Sequence, residues 1–269
     1  MPRIIAIANQ KGGVGKTTTA INLGAGLAVA ERRTLIVDMD PQGNATSGLG
    51  LDRNTVGPSV YDVMVDSVPL ESIIRTGLHF PFLDVAPSSE DLVGAEVEIV
   101  DRPDRETTLR RALEPIQDRY SYILLDCPPS LGLLTLNTLA AAHAVIIPIQ
   151  CEFYALEGLS QLLNTVHVVQ SKLNPGLGIE GVLLTMFDQR LNLSRQVAEE
   201  ANEYFGNRVF QTVIPRNVRL AEAPSFGKPI ALYDVLSQGA QSYLSLAREL
   251  IGREDGRHGE STARTKGDQ

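Results

Sequence analysis

The chain has 269 residues, with 24 Lys+Arg against 32 Asp+Glu and a formal net charge of −8. That length allows one large domain or two small ones around a sizeable core, and 43% hydrophobic with 21% charged residues excludes wholesale disorder. A net acidic chain also excludes coating nucleic acid by bulk positive charge, but not a local basic face.

Residues 3–9 form a short apolar run rich in β-branched side chains, the mark of a strand buried on both faces. A glycine-rich loop follows over 10–15. Over 16–30, apolar residues at Ala20, Leu23, Leu27 and Ala28 fit helical spacing. Residues 34–37 give a second buried strand that ends at Asp38, and a strand–helix–strand unit of this length implies parallel pairing. Further strands are expected at 82–86, 122–125, 144–149, 179–186 and 209–214, with helices at 106–118, 133–142, 155–172, 194–204 and 238–251. The alternation predicts the α/β class: an open, mostly parallel twisted sheet with helices on both faces, in one domain over 1–251. Residues 252–269 contain no aromatic or β-branched aliphatic residue, and four basic groups balance four acidic ones. They read as a disordered polar tail.

Cys127 and Cys151 are the two cysteines, and neither a CxxC nor a Cys/His ligand spacing occurs, so no disulfide framework or zinc site is expected. No apolar run reaches the roughly 18–20 residues of a membrane span, and the first apolar stretch is too short for a signal peptide. A cytoplasmic protein is expected.

The segment Gln10-Lys11-Gly12-Gly13-Val14-Gly15-Lys16-Thr17-Thr18 carries the clearest chemistry. It lies between a buried strand and a helix start, where a phosphate loop must lie. Glycines allow successive N–H groups to point inward at phosphate oxygens, and the helix N-terminus adds free donors and positive dipole. Lys16 is then placed for the β- and γ-phosphates and the Thr17 hydroxyl for Mg²⁺. The common pattern G-x-x-x-x-G-K-[ST] fails at its first glycine, where Gln10 stands, and a second lysine, Lys11, appears instead. Downstream, Asp126 closes the apolar strand at 122–125 and is followed by Cys-Pro-Pro-Ser. A strand-end aspartate of this kind sits near Mg²⁺, often through water. Asp38 and Asp40 end the second strand at the sheet edge where such folds bind ligands.

KGGVGKTT, with lysine at both ends of GGVG, resembles the deviant Walker A box of the ParA/MinD superfamily of P-loop ATPases. The resemblance implies ATP and Mg²⁺ as ligands and an ATP-sandwiched homodimer, in which Lys11 reaches the partner's phosphates and Gly12 lies close to the facing subunit. It further implies that Asp40 positions the attacking water and the Mg²⁺ shell. Pro215 is expected to pack on the adenine and Asn217 to hydrogen-bond it. DPQGNATSGLG at 40–50, PIQCEFYALEGLSQLL at 148–163 and TVIPRNVRLAEAPSFGKPI at 212–230 look like the chromosome-partitioning ParA/Soj branch. That branch implies an ATP switch: the dimer holds double-stranded DNA without sequence preference, associates with the nucleoid, and is released when a ParB/Spo0J-type centromere-binding protein stimulates hydrolysis. By the same resemblance Arg190 and Arg219, then Lys228 and Arg248, are the DNA-contact candidates. Residues 188–228 carry six basic and five acidic side chains, leaving −9 on the remainder. The absence of a domain ahead of Ile4 points to a chromosomal rather than a plasmid replicon.

Three other classes share the phosphate loop. A MinD-like membrane-cycling ATPase needs a C-terminal amphipathic helix with bulky apolar residues, and the tail has none, so no membrane partner is expected. An iron–sulfur carrier needs paired cysteines at a dimer axis. A metabolic ATP-dependent ligase needs a further acid–base pocket, which the sequence does not display.

Overall fold

The computed structural model describes residues 2–152 and 157–266. Six strands, β1 (Arg3–Ile7), β2 (Thr34–Asp38), β3 (Leu83–Ala86), β4 (Tyr122–Asp126), β5 (Ala144–Gln150) and β6 (Gly178–Thr185), form one sheet in the order β3-β2-β4-β1-β5-β6. Every pairing between them is parallel. The strands are near-continuous apolar runs because both faces are covered. Along β1, Ile4 and Ala6 enter one buried cluster, while Ile5 and Ile7 enter the other, as the two-residue period of a strand requires. The first helix, Lys16–Val29, and the last, Gln238–Lys266, cover the second face. A Cβ on Gly26 would stand 3.2 Å from the Tyr243 carbonyl, so glycine permits that close helix contact. Helices Leu133–Ala141, Glu157–Lys172 and Asn192–Phe205 contribute to the first face.

The structure departs from the sequence reading at three places. The helix expected over 106–118 is limited to Thr108–Leu113, flanked by 3-10 turns at Arg105–Thr107 and Gln117–Arg119. Pro115 has no N–H to continue it. The strand expected over 209–214 is absent, and only isolated bridges tie Val209 to Val182 and Pro215 to Phe187. Phe210 and Ile214 donate to β6, but the Gln211 and Thr212 N–H groups between them donate to the Glu249 carboxylate at 2.8 and 2.9 Å. The ladder is broken because a side chain takes its donors. The final helix also continues past Ile251. Arg253 donates to the Val209 carbonyl and to Glu249 and lies over the Phe210 ring, while Glu254 accepts from the Tyr122 hydroxyl and pairs with Arg3. The packed body therefore extends at least to Glu254. The start expected at 155 lies outside the described residues, as do 267–269. Short helices such as Asn44–Gly48 and Leu92–Glu98 span too few residues to leave a periodic signal.

Candidate nucleotide site and basic face

The strand order sets β1 at the centre, with β4 and β2 on one side and β5 and β6 on the other. Connections leave β1 and β5 in opposite directions, so the crevice at their carboxyl ends is a switch point where ligands bind. Ile7 is in register with Asp126, and Asp38 with the same Asp126. The glycine-rich loop and both strand-end aspartates therefore share one sheet edge.

Side chains from the neighbouring strands fix the loop. The Lys11 N–H donates to Asn9 Oδ1 (3.0 Å), and Asn9 Nδ2 donates to the Pro148 carbonyl in β5 (2.7 Å). From β6, the Thr185 hydroxyl donates to the Val14 carbonyl (2.8 Å). Gly13 and Gly15 take left-handed backbone angles, φ +74° and +89°, which glycine adopts without strain. Gly15 caps the first helix, and no side chain caps its amides, leaving the donors of the first turn to an anion. Gly12 and Gly13 are exposed, whereas Val14 is buried. Asn9 adjoins the motif and was within reach of a sequence reading. Thr185 was not, because its contact spans 171 residues.

Lys16 is only 6% exposed, and its Nζ donates to the Lys11 carbonyl (3.1 Å). Burial lowers its pKa, with Asp126, Cys127 and Asp40 pulling the other way. Asp126 is fully buried, and among the described residues neither carboxylate oxygen has a hydrogen-bond partner of good geometry. Burial first, then the neighbouring Asp38, pushes its pKa well above the ordinary range, although the Thr17 hydroxyl and Lys16 act against this. Asp40 is nearly buried and accepts from the Gln42 N–H through Oδ1 (2.9 Å). Burial raises its pKa, offset by that bond and by Lys16. Asp38 is occupied elsewhere, with its oxygens held by Thr46 and by the Asp40 N–H. Its pKa is raised to about 6, chiefly by burial. Thr17 and Thr18 are half-buried in the first turn.

The orphaned Asp126 carboxylate beside a buried lysine is what a cation site leaves when described as protein alone. Among the described residues, no group of three or more His, Cys, Asp or Glu side chains is arranged to hold a metal by itself. That suits Mg²⁺, which is typically held by one or two protein groups together with substrate phosphates and water.

Pro215 pairs with Phe187, two residues beyond Thr185, so the 215–217 loop leaves the same sheet edge. Asn217 caps the helix Val218–Glu222, its Oδ1 accepting from the Arg219 N–H (2.9 Å). Around the corner, Arg190, Arg216, Gln241 and Ser245 line an open groove. Arg248 follows Ser245 by three residues and Gln241 by seven, which places it on the same helix face. The arginines are not bare. Arg190 makes a two-point pair with Asp188 (2.9 and 2.7 Å), Arg216 pairs with Glu152 (3.1 Å), and Arg219 with Glu222 (2.8 Å) and Asp234 (3.6 Å). Solvent screens such exposed pairs, so they are weak and exchange for a phosphate partner costs little. Lys228 and Arg248 are exposed.

A glycine-rich loop at a parallel switch point, with a buried lysine and a strand-end carboxylate, defines the phosphate-loop class of nucleotide-binding α/β proteins. The AAA domain family matches residues 2–179. The chromosome partitioning protein ParA of Myxococcus xanthus is 58% identical over 94% of this chain and 89% of its own. The sporulation initiation inhibitor protein Soj of Bacillus subtilis is 60% identical over 93% of this chain and 98% of its own. Among solved structures, a cobyrinic acid a,c-diamide synthase from Mycobacterium smegmatis, bound to ADP and magnesium, superposes with a TM-score of 0.81 at 38% identity, covering 93% of this chain and 94% of that one. The chain belongs to the ParA/Soj family of chromosome-partitioning ATPases. Among the described residues no helix is long and apolar enough to cross a membrane.

Proposed function

We propose that this protein is an ATP-driven DNA-segregation switch that binds Mg·ATP, pairs with a second copy, and holds DNA in the paired state. The observation that carries the reading is the orphaned, buried Asp126 carboxylate beside Lys16 at the foot of the glycine loop. Lys16 and the loop N–H groups take the phosphates. Thr17, with Asp126 and Asp40 through water, would hold a magnesium ion, which would supply charge neutralisation for the phosphates. Asp40 orients the water for in-line attack on the γ-phosphate. Lys11 reaches the partner's nucleotide and adds a second cation, so loss of the γ-phosphate weakens pairing. Pro215 and Asn217 border the base.

Pairing doubles the face that carries Arg190, Arg219, Lys228 and Arg248. Contacts of this kind grip phosphates without reading sequence, and two weak faces on one body gain by multivalency. The ATP-bound pair associates with the nucleoid through this contact, and a ParB/Spo0J-type partner stimulates hydrolysis and releases it. A second reading, activation of a small metabolite, rests on the name of the 38%-identical synthase. The identities of 58% and 60% to partition proteins favour segregation. The test is DNA co-sedimentation with ADP, ATP and a non-hydrolysable analogue across a salt series. Retention is expected with ATP and the analogue and is lost with ADP; equal retention in all three would overturn the switch.

A further inference from the structure

Asp40 stands two residues beyond the end of β2, where main chain is ordinarily free to shift. Here both of its polar backbone atoms are tied. Its N–H donates to Asp38 Oδ1 (3.2 Å), and its carbonyl accepts from the Gly43 N–H in the turn (2.8 Å) and, beyond the turn, from the Ser88 hydroxyl (2.8 Å). Thr46 closes the circuit. Its N–H and its hydroxyl both donate to Asp38 Oδ2 (2.7 Å each), and the same hydroxyl accepts from the Ser88 N–H (2.9 Å). Asp38, Thr46 and Ser88 are each 0% exposed. They come from three places: the end of β2, the helix Asn44–Gly48 and the segment after β3. The remaining freedom of Asp40, rotation of its side chain, is limited by the bond from the Gln42 N–H to Oδ1. One residue back, the Met39 N–H donates to the Asp126 carbonyl (3.0 Å). The Asp40 peptide is thus fixed relative to the metal-side strand end as well.

This is more fixing than a turn requires. A buried carboxylate is costly to desolvate, and a neutral side chain at 38 would serve a five-residue helix as well. What the circuit adds is position. A group that orients an attacking water must be held to within about 0.5 Å, and about 1 Å of misplacement costs on the order of a hundredfold in rate. We infer that Asp38, Thr46 and Ser88 are positioning residues for hydrolysis, clamping the Asp40 peptide from three elements while taking no part in holding ATP. The inference rests on the role given to Asp40 above and extends it to three residues to which that reading assigns no contact with the nucleotide.

The test uses the full chain and separates binding from turnover. Thr46→Val keeps the shape and removes the hydroxyl from both of its bonds; Thr46→Ser restores it. Thr46→Val is expected to slow single-turnover hydrolysis at saturating Mg·ATP by at least about tenfold, while affinity for a fluorescent ATP analogue stays within about twofold. Thr46→Ser is expected to recover most of the rate. Ser88→Ala removes the bond to the Asp40 carbonyl and a longer one to the Ser89 carbonyl (3.5 Å) while keeping the N–H bond to Thr46; it is read in the same way and carries the test where Thr46→Val does not fold, and about a threefold slowing is expected. A wild-type rate in the folded variants, or ATP affinity falling in proportion to rate, would overturn the clamp. Asp40→Ala runs beside them. If that variant turns over normally, the role of Asp40 itself is wrong. If it is slow while Thr46→Val and Ser88→Ala are normal, only the clamp is.

Discussion

Arg190 shows how a basic residue can be present in the sequence yet masked on the surface. Its guanidinium is 84% exposed but grips Asp188 by two hydrogen bonds, and those bonds, first among the causes, pull the Asp188 pKa down to about 2. A carboxylate held so low stays ionised throughout the physiological range, so the DNA contact proposed for Arg190 exchanges one anion for another. Asp188→Asn is therefore expected to strengthen retention of the ATP-bound protein on DNA by about threefold, since it frees a phosphate-seeking group and removes a repelling charge. Co-sedimentation at moderate salt measures this. Unchanged or weaker retention would place Arg190 away from the DNA. The glycine-rich loop was legible at this scale because its residues are contiguous: Lys16, Thr17 and the glycines lie between β1 and the start of the first helix. The ion pairs of Arg190, Arg216 and Arg219 were not, since a count of charges does not say which are joined.

At the scale of elements, the segment at 209–214 is the instructive departure. Its apolar pattern, Val209, Phe210 and Val213-Ile214, is that of a strand, and two of its amides do bond to β6. The sequence carries no sign that Glu249, some 38 residues on, intercepts the amides between them, because that contact depends on how the last helix lies across the sheet. The six buried strands and their parallel pairing were readable, since burial on both faces leaves uninterrupted apolar runs; their order in the sheet was not. The continuation of the last helix past Ile251 was not legible for a related reason: there the anchoring contacts are polar, through Arg253 and Glu254, and composition registers only missing apolar residues. Glu249 now has an assignable weight. Burial alone would raise its pKa, but the bonds from Gln211 and Thr212 and the charge of Arg253 outweigh it, and the net shift is downward. A carboxylate depressed in the fold stabilises above its ordinary value of 4.5 and loses that contribution as pH falls through the lowered one. Glu249→Gln should thus cost about 1–3 kcal/mol near neutrality. In urea unfolding, the gap to wild type should close as pH drops well below 4.5. A gap independent of pH would mean that the charge contributes nothing.

For the whole molecule, the proposed retention on DNA has to be reconciled with a net charge of −8. The answer proposed here is pairing, and two measurements bear on it. Gly12 is exposed, and a Cβ placed on it meets nothing within 4 Å of its own chain. Gly12→Val is therefore expected to fold and bind ATP as wild type does, yet to elute as a monomer with ATP in gel filtration, because any obstruction must come from the facing copy. A dimer in that variant would remove Gly12 from the interface. The second measurement is the salt dependence of DNA retention. Four candidate cations per protomer, Arg190, Arg219, Lys228 and Arg248, become eight in the pair. With all eight on phosphates, log K should fall against log salt with a slope of about −7, since each neutralised phosphate contributes about −0.9. The ADP-bound monomer, presenting half the face, is limited to about half that slope and to far weaker binding. Arg219→Glu removes one contact from each protomer and should flatten the slope of the ATP state by about 2 while leaving sequence preference unchanged. If the slopes with ADP and with the ATP analogue coincide, pairing does not assemble the basic face. The acidic body would then have to be overcome by contacts within a single protomer, where Asp188, Glu152 and Glu222 already hold three of the arginines.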